Sequence, residues 1–126
     1  MIEQEAAETE PAPPEVAREA AWFGTALAIV VVGALVLRVV YVLVAKRNFE
    51  PGGDAYFYHA GANLLADGKG FLVPQFYAVG IHRAAADHPP LYMMYLAIPS
   101  VLGMKSVLTH LLWSCVLGTG TVWLVG

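Results

Sequence analysis

The run Trp22–Val44, WFGTALAIVVVGALVLRVVYVLV, decides the fold. Arg38 is its only charged residue. At about 1.5 Å of rise per residue, the run is long enough to cross the roughly 30 Å hydrocarbon core of a bilayer as a single helix. Composition points the same way. Apolar residues make up 58% of the chain and charged residues 13%, about half the charged share of a soluble domain. A second run of spanning length, 106–126, is largely apolar, with His110, Ser114, Thr119 and Thr121 among its polar exceptions. The sequence therefore predicts an all-α integral membrane protein with transmembrane helices over 22–45 and 106–126.

The segment before the first span excludes a cleavable signal. It carries Glu3, Glu5, Glu8, Glu10, Glu15 and Glu19 where a signal peptide is basic, and the apolar run is too long. Residues 1–21 are Glu, Ala and Pro with few large apolar side chains, so a disordered tail or a frayed helix is expected there. The net charge of -3 is concentrated in this tail and argues against nucleic acid as a partner. Cys115 is the single cysteine, so no internal disulfide forms.

Between the spans, the loop 46–105 holds most of the groups able to react. After Gly52 and Gly53, the apolar positions Phe57, Ala60, Gly61, Leu64 and Leu65 recur at helical spacing, which predicts a helix over about 54–66 with Tyr58, His59 and Asn63 turned elsewhere. Gly68 and Gly70 end it. Residues 71–77 read as extended, with Pro74 arguing against a central strand. Pro89 and Pro90 start another helix, over about 90–102, interrupted by Pro99 and too short to span. Both short helices are expected to lie at the membrane interface. A short second span over 91–102 is the alternative.

Asp54 carries two readings. As an N-cap it accepts backbone N–H bonds of the first helical turn. As a carboxylate at the membrane face it serves as general base toward a hydroxyl. His88, with His82 and Arg83, is either an ordinary surface group or a donor to a lipid phosphate at headgroup level. Arg38 either snorkels to the loop side or pairs with a carboxylate or phosphate. Metal binding needs three or four convergent ligands, and His59, His82 and His88 lack a recognised ligand spacing. No metal site and no cofactor are assigned, and divalent-metal dependence stays open. Gly118 and Gly120 are expected to let a helix outside this chain approach closely.

These residues resemble a known family. Arg38 near the end of the first span, Gly52-Gly53-Asp54-Ala55-Tyr56-Phe57-Tyr58, Ala62-Asn63-Leu64-Leu65 with Gly68-Lys69-Gly70-Phe71, and His88-Pro89-Pro90-Leu91-Tyr92 are similar to the N-terminal region of the GT-C membrane glycosyltransferases. That group includes the protein O-mannosyltransferases and the lipid A aminoarabinose transferase. The resemblance covers roughly 38–126.

The resemblance implies the N-terminal part of a polytopic bundle. It implies transfer of a sugar from a polyprenyl-phosphate carrier to an acceptor hydroxyl outside the cytoplasm, with inversion at the anomeric carbon. Asp54 would be the catalytic carboxylate. His88 aligns with a position that in some relatives is a lysine meeting the carrier phosphate. Arg83, Arg38 and Tyr58 are further candidates for holding carrier or substrate.

Expected partners are the lipid-linked sugar donor, membrane lipids and later helices of a longer protein. The expected location is a bacterial cell membrane, with the loop extracytoplasmic. Lys46 and Arg47 beside the first span point the other way, because basic flanks favour the cytoplasm. The family topology is taken as the guide. The second run ends on Val125 and Gly126 without a basic flank, which reads as an interrupted polytopic chain that is inactive alone. The alternative from another class is a small two-span membrane protein that binds or assembles without catalysis.

Overall fold

The computed structural model describes residues 14–126, and the chain there is all-helical. Five helices follow in order: α1 (Pro14–Ala45), α2 (Gly53–Ala66), α3 (Pro74–Tyr77), α4 (Pro90–Val101) and α5 (Val107–Val125). Residues 18–45 of α1 and all of α5 form helices long and apolar enough to cross a membrane. Helix α1 reaches back to Pro14, with Pro in the position where a missing N–H costs no helical bond. The part of the acidic tail over 14–21, for which a disordered tail or a frayed helix is expected above, is thus helical. Residues 1–13 lie outside the described residues.

Helices α1 and α5 pack as an antiparallel pair. Gly126 approaches Leu27 and Gly118 approaches Arg38, so rising numbers on one helix meet falling numbers on the other. Gly118 therefore serves a contact within this chain, correcting the expectation of an outside helix. A side chain at Gly120 would meet nothing within 4 Å.

Helices α2 and α4 form the second pair, with α3 against α2 and α5 against α4. Their shared core is Phe57, Ala62, Val73, Met93, Leu96 and Ala97. Gly61 lies so close to Met93 that a Cβ there would stand 2.6 Å from its terminal methyl. The short stretch expected to be extended splits in two. Leu72 pairs with Ala84 in an isolated antiparallel bridge, whereas Pro74 opens the single helical turn of α3. Pro at the first helical position converts a strand-breaking residue into a helix start.

Pro99 does not interrupt α4, which runs through it to Val101. Proline lacks the N–H that would have bonded the carbonyl four residues back. That carbonyl belongs to Tyr95, and the Trp113 indole Nε1 of α5 donates to it at 3.2 Å. Tyr95 returns the contact, its hydroxyl donating to the Trp113 carbonyl at 2.7 Å. The two rings stack with centroids 5.4 Å apart, fastening α4 to α5.

Candidate functional site: a carboxylate and histidine pair above the two long helices

Gly52 is the residue before α2 and makes no side-chain cap, and Gly53 takes φ +56, a left-handed conformation that glycine adopts without strain. Asp54 consequently sits inside the first turn rather than at the cap. The N-cap expectation is corrected: the Asp54 carboxylate is 85% exposed, and Oδ1 faces the Nε2 of His88 at 3.3 Å. An acidic group in the first turn is also favoured by the partial positive charge of the helix N-terminus.

His88 arrives from the other end of the loop, thirty-four residues away in sequence. Pro89 and Pro90 follow it, fixing the chain as α4 begins. The His88 ring stacks on Phe57 with centroids 4.1 Å apart, and Tyr58 meets it edge-on at 5.6 Å. Tyr58 also packs edge-on against Tyr92 at 5.0 Å, so it links the pair to the α2/α4 core. The Nδ1 of His88 is buried without a hydrogen-bond partner. Only Nε2 is therefore free to act, and a neutral ring protonated there donates to the carboxylate.

Three sequence-derived candidates lie elsewhere. Arg83 extends its guanidinium over the Phe76 ring at 5.1 Å and forms an exposed ion pair with Asp87 at 3.9 Å. Arg38 does not reach toward the loop. Its Nη1 donates back to the Ala34 carbonyl at 3.2 Å, and its side chain covers Gly118. A helical side chain leans toward the helix N-terminus, which here leads away from the loop. His82 stacks on Tyr77 at 5.3 Å rather than joining His88.

A second polar cluster was not anticipated. His59 and Asn63, one turn apart on α2, face α4 and α5 rather than turning away. His59 Nδ1 lies 3.0 Å from His110 Nδ1, and His110 Nε2 lies 2.8 Å from the hydroxyl of Ser100. Ser100 in turn lies 2.7 Å from Asn63 Oδ1, and Asn63 Nδ2 donates to the Lys105 carbonyl at 3.2 Å. Ser100 and His110 are both buried. Burial holds the His59 imidazole below the usual histidine value. The detectable signal was the four-residue spacing of His59 and Asn63 on one helix, with His110 as a polar exception in the second apolar run.

Among the described residues, no group of three His, Cys, Asp or Glu side chains converges as a metal site requires. Chemically, the Asp54 and His88 pair offers an exposed carboxylate, held from one side, that can take a proton from an incoming hydroxyl. Comparison with known proteins finds no matching family model, no matching curated protein and no matching solved structure.

Proposed function

We propose that this chain is the N-terminal segment of a membrane glycosyltransferase that moves a sugar from a polyprenyl-phosphate carrier to an extracytoplasmic acceptor hydroxyl. The observation that carries the reading is the approach of Asp54 to His88, a carboxylate and an imidazole brought together from opposite ends of the loop. In this reading α1 and α5 cross the membrane. The outer side chains of α1 support that placement: Trp22, Ile29, Leu37 and Val44 are between 68% and 80% exposed, which water disfavours and lipid or further helices do not.

The chemistry is an in-line displacement. The acceptor hydroxyl gives its proton to the Asp54 carboxylate as its oxygen bonds to the anomeric carbon. The bond from that carbon to the carrier phosphate oxygen breaks on the opposite face, and its electrons leave with the phosphate. His88 donates to Asp54 and keeps one carboxylate oxygen oriented while the other stays free. A phosphate contact at His88 would have to use the same Nε2, because Nδ1 is buried. His88 is accordingly a partner of Asp54 first and a phosphate ligand only by sharing.

The test is Asp54→Asn in the full-length protein. General-base catalysis contributes roughly 10²- to 10⁴-fold, and transfer should fall by that order while insertion is unchanged. Transfer at near wild-type rate removes Asp54 from the reaction. Labelling of cysteines placed in the loop should occur from the extracytoplasmic side, and labelling from the cytoplasm alone rejects the transferase reading.

A further inference from the structure

The hydrogen bonds around Ser100 have one consistent direction. The Lys105 carbonyl can only accept, so the amide nitrogen of Asn63 faces it and Asn63 Oδ1 faces Ser100. Asn63 Oδ1 at 2.7 Å and the Leu96 carbonyl at 3.4 Å can only accept, so the single hydroxyl proton of Ser100 is spent on them, the shorter bond being to Asn63. Ser100 must then accept from His110, which places a proton on His110 Nε2. A neutral His110 has a bare Nδ1, and the 3.0 Å contact requires His59 to donate to it from its own Nδ1.

The consequence falls on the last nitrogen of the chain. His59 Nε2 is left with a lone pair and no hydrogen-bond partner among the described residues. It is not among the buried unpartnered atoms, so solvent or a ligand can reach it.

We propose that His59 is a proton-accepting site of fixed tautomer, whose free Nε2 takes a hydrogen bond from the hydroxyl of water or a small alcohol and takes up a proton from acidified solvent. On acidification the proton comes from hydronium: its O–H bond breaks, the electron pair stays on oxygen to leave water, and an N–H bond forms at Nε2. The positive charge is shared over the ring, and the bond from His59 Nδ1–H to His110 survives as a charge-assisted contact. His110, Ser100 and Asn63 are positioning residues, because they set which nitrogen of His59 is bare.

A cavity of about 80 Å³ bordered by both imidazoles, with Tyr58, Tyr92 and Ser114, has room for such a molecule. The titratable groups that line the two cavities bordered by His59 are Tyr58, Tyr92 and His110 in one and Tyr56 and Tyr77 in the other. None is a carboxylate or a permanent cation, so neighbouring charge neither protonates the ring nor competes for it. Burial lowers the affinity of His59 for a proton and keeps Nε2 bare near neutral pH. The site is independent of the sugar-transfer reading and requires no membrane sidedness.

The experiment is nitrogen-15 NMR of the imidazoles in the intact chain, reconstituted in lipid nanodiscs and titrated with acid, the proton being the probe. Neutral His59 should carry its proton on Nδ1 and neutral His110 on Nε2, with a scalar coupling across the Nδ1–H···Nδ1 bond. His59 Nε2 should shift on acidification. Finding neutral His59 protonated on Nε2 overturns the proposal. Ser100→Ala should mix the tautomers of both rings, and unchanged tautomers would remove the positioning role. Acylation of neutral imidazoles in the wild-type chain gives a second reading: His59 should react and His110 should not, with exposed His82 as reference. Reaction at His82 with none at His59 also overturns it.

Discussion

Arg38 on α1 lies across Gly118 on α5, its Nε 3.0 Å from where a Cβ at 118 would stand. The absence of a side chain at 118 is what lets an arginine lie within an apolar helix pair, its Nη1 donating to a backbone carbonyl at 3.2 Å. Gly118→Ala would force the guanidinium stem aside by a few tenths of an ångström. Gly118→Leu would separate the helices and should destabilise them by about 1 to 3 kcal/mol, the usual cost of overpacking. Gly33→Ala is the control, since a Cβ there meets nothing within 4 Å and helix propensity favours alanine by up to about 1 kcal/mol. Unfolding in detergent at rising denaturant should rank Gly33→Ala at or above wild type and Gly118→Leu below it.

His88→Phe separates packing from chemistry. The new ring keeps the stack on Phe57 and the edge contact with Tyr58, and it removes the unpartnered buried Nδ1. Stability should therefore stay within about 1 kcal/mol of wild type, because deleting an unsatisfied acceptor offsets the exposed contact with Asp54. On the transferase reading proposed above, sugar transfer in the full-length protein should fall, since Asp54 loses its donor. A thermal unfolding curve beside a transfer assay checks both halves, and undiminished transfer would show that Asp54 acts without His88.

The His59 imidazole gives stability a pH dependence whose sign follows from its lowered proton affinity. The unfolded chain binds the proton near the ordinary value of about 6.5, and the folded chain binds it only at lower pH. The His59 contribution is thus fully present above about pH 6.5, and it is lost as pH falls from there through the folded value. The thermal midpoint should decline over that window. His59→Gln should decline less steeply, and a slope identical to wild type would show that His59 does not contribute.

The two long helices and the limits of α2 and α4 were legible because local rules decide them. Apolar length set the first, and the Gly-Gly and Pro-Pro pairs set the starts of α2 and α4. The Asp54 site was half legible. Asp54 and His88 could be picked out by type, but that they touch depends on folding the loop across thirty-four residues. The same reason hid the cluster of His59, Asn63, Ser100 and His110, whose members come from three helices and satisfy one another only after α2, α4 and α5 have packed. Arg83 could be picked out for lying near His88 in sequence, but its guanidinium finds Phe76 and Asp87 within its own segment, a contact that sequence distance to His88 does not predict. Arg38 misled because snorkelling assumes a choice of direction, and a helical side chain already leans toward the N-terminus.

Pro99 and Trp113 should behave as a coupled pair. Trp113→Phe preserves a ring against Tyr95 but leaves the Tyr95 carbonyl without its indole donor, which should cost about 1 to 3 kcal/mol. Pro99→Ala supplies a backbone N–H to the same carbonyl from within α4, at the position where a regular helix would have placed it. In the Pro99→Ala background, Trp113→Phe should therefore cost less than in wild type, and the coupling energy from the four unfolding curves should exceed about 0.5 kcal/mol. Additive effects would mean that the indole contributes through packing alone. A coupling of the expected sign would identify the hydrogen bond from α5 as the substitute for the one that Pro99 removes from α4.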